Sequence, residues 1–205
     1  MIKHIIFDVG RVLVGYNPKK ILDMITPETP HRELYMTELF EHEIWQHMDR
    51  GDVSHEQAIS RFQSHHHDEV RQLLSDFAYH LDIIEGTKSL FIELEKKYPI
   101  YILSNFQADP FDKLVDTHPF MKNATGTVVS AKVNMMKPEK EIYHYLLETH
   151  SLKAENCLFI DDLSENIQAC KVVGMHGIVF ESPEQLEREL IKFGVQAREA
   201  RQYFK

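Results

Sequence analysis

Ile5-Ile6-Phe7-Asp8-Val9-Gly10-Arg11-Val12 is the stretch that decides the fold. Its apolar run, residues 5–9, has the composition of a strand covered by helices on both faces. Its single charge, Asp8, falls at the carboxyl end. The same form recurs twice downstream. Residues 100–103 are apolar and lead into Ser104-Asn105, and residues 157–160 lead into Asp161-Asp162 within Phe159-Ile160-Asp161-Asp162-Leu163-Ser164-Glu165-Asn166. Residues 126–129 and 178–180 are further strand candidates. Helical patterns lie between them. Leu90, Phe91, Leu94 and Tyr98 share one face, and Ile142, Tyr145 and Leu146 form another stripe. Ser164 and Asn166 precede a short helix carrying Ile167 and Cys170, which Gly174 ends. Pro138 is placed in a first helical turn, where its missing N–H costs least. Strands alternating with helices predict an α/β fold: a Rossmann-like parallel sheet.

One region breaks the alternation. From 16 to 82 there is no strand pattern, and four helices are expected near 18–25, 31–47, 54–66 and 68–80. Ser54 with Gln57 fits a capping box, and Asp49-Arg50-Gly51-Asp52 reads as a turn. The expected organisation is a core of residues 1–15 and 83–205 with an inserted helical cap at 16–82, long enough to cover the strand ends as a lid.

The 205 residues carry 23 basic and 32 acidic side chains, a net charge of −9. An acidic balance argues against a nucleic-acid or anionic-membrane surface, which needs a basic face. With 43% hydrophobic and 10% aromatic residues the chain can bury a core. Two cysteines, Cys157 and Cys170, are too few for a disulfide framework and suit reduced thiols in a cytoplasmic protein. The N-terminal apolar run is shorter than a signal-peptide core, and no stretch approaches the ~20 apolar residues of a membrane helix. Alternating charge from Gln196 to Lys205 suggests a terminal helix.

In a parallel sheet the strand ends lie on one edge, where ligands bind. Asp8, Ser104, Asn105, Asp161 and Asp162 should therefore converge there, joined by Lys137 before Pro138. Three carboxylates and one ammonium meet in that group. Carboxylates ~4 Å apart repel by about 4 kcal/mol at an effective dielectric near 20. A divalent cation relieves this and admits a phosphate, and hard oxygen ligands in small number suit Mg²⁺. An aspartate can also attack phosphorus as a nucleophile. A small phosphorylated metabolite is the expected partner. Oligomeric state has no signal in the sequence.

The order Asp8, Ser104, Lys137, Asp161-Asp162, with an insertion after the first strand, resembles the haloacid dehalogenase superfamily. The nearest likeness is to the branch that includes glucose-1-phosphate phosphatases and the N-terminal phosphatase domain of soluble epoxide hydrolase. The resemblance implies a Mg²⁺-dependent phosphatase acting through an aspartyl-phosphate on Asp8, most simply on a sugar phosphate. It further implies that Asp8, Asp162 and the Gly10 carbonyl ligate the metal. Asp161 would act through water or through Lys137. Lys137 would balance the nucleophile, and Ser104 and Asn105 would hold the phosphate. The loop containing Arg50 would contact substrate from the cap. Most phosphatases of this kind carry a second aspartate two residues after the nucleophile, as general acid and base. This chain has Gly10 there, so its rates are expected to depend steeply on the leaving group.

Three rivals share the motifs. A metal-free haloacid dehalogenase also lacks the second aspartate, but Asp161 and Asp162 would repel its carboxylate substrate. Phosphonate cleavage needs a cap lysine, and only Lys19 and Lys20 are available. A slow or inactive phospho-ligand sensor is compatible with Gly10. His65-His66-His67 points in successive directions on a helix and reads as a solvated cap surface.

Overall fold

The computed structural model describes residues 1–197. Five strands, β1 (His4–Phe7), β2 (Ile100–Ser104), β3 (Gly126–Val129), β4 (Cys157–Asp161) and β5 (His176–Val179), form one all-parallel sheet in the order β3-β2-β1-β4-β5. The last strand starts two residues earlier than its apolar run, at the exposed His176.

The strands alternate between two apolar layers. Ile5, Phe7, Ile100, Ile102, Leu158 and Ile160 belong to one layer. Ile6, Tyr101, Leu103, Cys157 and Phe159 belong to the other. Successive residues face opposite sides of a strand, so runs apolar at every position are what a doubly covered sheet requires. The second layer is closed by the helices Lys140–Thr149 and Ser164–Val172, through Ile142, Tyr143, Leu146 and Ile167. Here Tyr143, not Tyr145, completes the buried stripe. Tyr143 packs against Phe159 and its hydroxyl donates to the Asn166 carbonyl at 3.0 Å, whereas Tyr145 is exposed. Pro138 sits two residues before its helix rather than in the first turn.

Between the isolated bridges Gly10–Val14 and Val14–Ile83 the described chain has no strand. The regular helices there are α1 (Pro18–Ile25), α2 (Arg32–Tyr35), α3 (Glu43–Arg50), α4 (His55–Ile59) and α5 (His67–Asp76). The helix expected over 31–47 is interrupted. It widens into a π turn at Met36–Phe40, and His42 then caps α3, its Nδ1 accepting from the Ile44 N–H at 3.0 Å. The helix expected over 54–66 stops at Ile59 and resumes as a 3₁₀ turn at Ser64–His66. The Ser54–Gln57 capping box forms, with bonds of 2.8 and 3.2 Å. His66 departs from the solvated reading: it is buried, with Nδ1 3.1 Å from the Tyr35 hydroxyl and its ring edge-on to His31 at 4.4 Å. Of the expected terminal helix, Gln196 and Ala197 are non-helical and the remainder lies outside the described residues.

The helical segment is packed continuously with the sheet. Tyr35, Leu39, Ile44, Trp45 and Phe77 belong to the same apolar cluster as Ile5 and Phe7. Gly51 sets how closely α3 approaches. It ends the helix at φ +89°, a left-handed conformation suited to glycine, and a Cβ there would lie 2.6 Å from the Ala131 carbonyl. That carbonyl is in α8 (Ser130–Val133), the short helix following β3, the intervening helices being α6 (Glu85–Glu95) and α7 (Ala108–Thr117).

Candidate active site

Strand register brings the polar ends together. Phe7 pairs with Ile102 on one side and Ile160 on the other, so Asp8 emerges beside the ends of β2 and β4. Its amide donates to the Ile160 carbonyl at 2.9 Å. Oxygens of Asp8, Asp161 and Asp162 lie within 4.8 Å of one another, and among the described residues this is a group able to hold a metal ion.

Lys137 ties the group together. Its side chain is 1% exposed, and Nζ is 2.7 Å from Asp8 Oδ1, 2.7 Å from Asp161 Oδ2 and 3.1 Å from the Leu103 carbonyl. An ammonium has three donors, and these three acceptors use them all. Burial alone would lower the Lys137 pKa, but Asp8 and Asp161 outweigh it and hold the group charged. Burial lifts the Asp8 carboxyl to about 7, with Lys137 pulling down and Asp161 adding to the rise. Burial, then Asp161, also raises Asp162, against Arg11, whose Nη1 is 3.7 Å away.

Asp161 is the most engaged carboxylate. Besides Lys137 it accepts from the Leu163 amide at 2.8 Å and from Asn166 Nδ2 at 2.9 and 3.0 Å. It fixes Lys137 and the start of the following helix. Asp162 is the freer of the two.

The expected phosphate holders behave differently. Asn105 lines the cavity, but its amide is spent on the main chain of Lys137: Nδ2 donates to the Lys137 carbonyl and Oδ1 accepts from the Lys137 N–H, each at 2.9 Å. It positions Lys137. Ser104 is fully buried at the end of β2, and its hydroxyl has no hydrogen-bond partner.

A cavity of about 330 Å³ opens over this edge. Asp8, Gly10, Asn105, Lys137 and Asp162 line it from the sheet side, and Tyr16, Trp45, Gln46, Asp49 and Phe77 from the helical segment. Trp45 and Asp49 share a face of α3, four residues apart. Asp49 was read as part of a turn, but the helix runs on through Arg50 and carries its side chain to the cavity. Neither Lys19 nor Lys20 lines this space, and Lys20 pairs with Asp82, so no lysine of the helical segment is placed for an imine.

Arg50 is the main displacement from expectation. It does not line the cavity; its guanidinium joins Glu139 and lies 3.4 Å from Asp52 Oδ2. It fastens α3 to the core beside the Ser130 hydroxyl, which donates to the Asp49 carbonyl. Arg50→Ala is therefore expected to lower stability by less than about 1 kcal/mol, as a partly exposed pair does. It should leave the ranking of substrates unchanged. A thermal melt and a substrate panel check both parts.

No helix among the described residues is long and apolar enough to cross a membrane. Known proteins share this architecture. A sesquiterpene phosphatase from Aspergillus oryzae is 26% identical over 180 residues, covering 86% of this chain and 88% of that protein. A drimenol cyclase from Aspergillus calidoustus is 22% identical over 99% of this chain, which spans only 39% of that protein's length. Mouse bifunctional epoxide hydrolase 2 is 36% identical over 115 residues, 53% of this chain and 21% of that protein. A HAD family enzyme from Bacteroides thetaiotaomicron, crystallised with magnesium and inorganic phosphate, superimposes with a TM-score of 0.71 at 19% identity, covering 89% of this chain and 96% of that one. The haloacid dehalogenase-like hydrolase family model matches residues 5–180, strands, insertion and acidic cluster together, and the chain belongs to that family.

Proposed function

We propose that the chain is a Mg²⁺-dependent phosphatase of small phosphomonoesters that forms an aspartyl-phosphate on Asp8. The observation that carries this is Asp8 itself: a buried carboxylate, held by Lys137 at 2.7 Å, facing a cavity whose rim holds further acidic groups. Asp8 Oδ attacks phosphorus in line, the ester oxygen leaves toward the helical segment, and water then hydrolyses the acyl phosphate. Lys137 keeps the nucleophile oriented and offsets charge as the phosphoryl group arrives. Asn105 and Asp161 keep Lys137 in place. An acceptor oxygen reaching the end of β2 would satisfy the unpartnered Ser104 hydroxyl.

The donor set suits Mg²⁺: Asp8, Asp162 and the Gly10 carbonyl would hold it, with Asp161 behind Lys137. When bound, Mg²⁺ supplies charge neutralisation and polarises the phosphoryl oxygens. EDTA should abolish phosphate release, and added Mg²⁺ should restore it. Full turnover in chelator would remove the metal from the account.

In this reading the segment 16–82 acts as a cap that excludes water and selects the substrate body, and the core is 1–15 with 83–205. The buried thiols Cys157 and Cys170 fit a cytoplasmic setting. A sugar phosphate was the expectation from sequence. The lining favours a second substrate class, the phosphate of an apolar alcohol. Tyr16, Trp45, Phe77, Phe106 and Leu163 face the cavity, while the Asn105 amide is already committed. The relatives named as a sesquiterpene phosphatase and a drimenol cyclase support the same direction. A panel of sugar, aryl and prenyl phosphates with and without Mg²⁺ tests the reading. Binding without turnover would instead support a sensor.

A further inference from the structure

The loop after β1 has no carboxyl group beyond Asp8, since Val9, Gly10, Arg11 and Val12 follow it. Yet an alkoxide is a poor leaving group, and in-line displacement sends it away from Asp8, toward the wall built by the helical segment. A proton donor is needed on that side. Lys137 cannot serve, because its three donors are held by Asp8, Asp161 and the Leu103 carbonyl. Arg11 does not deprotonate. Gln46, Asn105 and Asn166 are amides. The Tyr16 hydroxyl faces the cavity and has no partner, but burial, then Asp49, pushes it far above its ordinary range, so a carboxyl in the same wall is the stronger acid. Asp162 belongs to the acidic cluster.

One residue of the lining remains. Resting on the phosphatase reading above, we propose that Asp49 of α3 protonates the leaving oxygen, supplying from the cap the acid that the Gly10 loop lacks. Asp49 sits on the cavity face of α3, one turn after Trp45. Its helix is locked to the core by the Gly51 contact and by the Ser130 hydroxyl on its own carbonyl, so the carboxyl is held in place. Burial raises its pKa well above the ordinary carboxylate range, against the lowering effect of the Gln107 amide beside it. The groups facing it are Tyr16, from the segment before α1, and Gln107, at the start of α7. Gln107 Oε1 lies 2.7 Å from His55 Nε2, from α4, and Gln107 Nε2 is buried without a hydrogen-bond partner. Arg50, next along α3, turns away to Glu139 and Asp52.

The steps balance. Asp8 Oδ bonds to phosphorus as the phosphorus–ester oxygen bond breaks, and that oxygen takes the Asp49 proton and leaves as alcohol. The Asp49 carboxylate then takes a proton from the water that attacks the aspartyl-phosphate. The phosphorus–Asp8 bond breaks, phosphate departs, and both carboxyl groups are as they began.

The test is log kcat/KM against leaving-group pKa for size-matched aryl and alkyl phosphates, in the wild type and in Asp49→Asn. The wild type should show a shallow slope, in place of the steep one expected from Gly10 alone. The variant should lose about 10²–10⁴-fold on alkyl phosphates, the usual worth of general acid catalysis, and far less on nitrophenyl phosphate. It should also lose the fall in alkyl-phosphate rate at high pH that deprotonation of Asp49 causes. Gly10→Asp in that background should restore the alkyl phosphates, because a Cβ at Gly10 meets nothing within 4 Å. A steep wild-type slope overturns the proposal even if the variant does not fold. So does an equal loss on every ester, or no loss. A wild type that hydrolyses no ester overturns the phosphatase reading as well, which separates the two failures.

Discussion

Asp8→Asn is expected to lose at least about 10³-fold in kcat while keeping the fold, since an amide cannot attack phosphorus and nucleophile removals are among the largest single effects in enzymes. Asn is nearly isosteric with Asp, and the Lys137 ammonium can still donate to its carbonyl oxygen, so the melting temperature should change little. The loss should be similar for aryl and alkyl phosphates, because every ester needs the same nucleophile whatever protonates its leaving oxygen. This distinguishes it from Asp49→Asn. Retention of wild-type turnover would move the chemistry away from Asp8. A drop confined to poor leaving groups would give Asp8 the role of an acid.

Lys137→Met should affect both stability and activity. Lys137 is buried between Asp8 and Asp161, with the Leu103 carbonyl as its third partner. Removing one member of a buried charge cluster costs about 3–5 kcal/mol, mainly because the remaining charges stay buried without their partner. The two carboxylates would then face each other across an apolar side chain, at the end of a strand flanked on both sides. A clear fall in melting temperature is expected, with loss of turnover. Lys137→Arg should not repair it, because a planar guanidinium does not reproduce three convergent ammonium bonds in so tight a place. A wild-type melting temperature in Lys137→Met would mean that the ammonium is not the pivot of the site.

The legible part of the site follows from strand geometry. Asp8 and Asp161 stand out because each is the first charge after an uninterrupted apolar run, and parallel strands deliver such ends to one edge. The sheet was legible for the same reason. Asn105 lines the cavity, but its bonds to the Lys137 main chain depend on where a loop 32 residues away returns, and no local pattern encodes that. Asp49 was hidden because Gly51-Asp52 drew the whole tetrapeptide into a turn. The left-handed Gly51 in fact ends a helix whose last turn contains Asp49 and Arg50. The signal that could have separated them was the Trp45–Asp49 spacing, which puts the carboxyl one turn from an aromatic residue on the same face. Arg50 was misplaced for the complementary reason: its partner, Glu139, is 89 residues away in sequence. The cap helices were overextended where the chain breaks for side-chain reasons, such as His42 capping α3.

The proposed mechanism stands on the covalent bond between Asp8 and phosphorus. The most direct test is to mix the Mg²⁺-loaded protein with an aryl phosphate, quench in acid within a turnover, digest, and measure peptide masses. One added phosphoryl group is expected on the peptide containing Asp8, absent in Asp8→Asn and discharged by a chase in fresh buffer. Phosphate release with no label on that peptide, or a label on another residue, would contradict it.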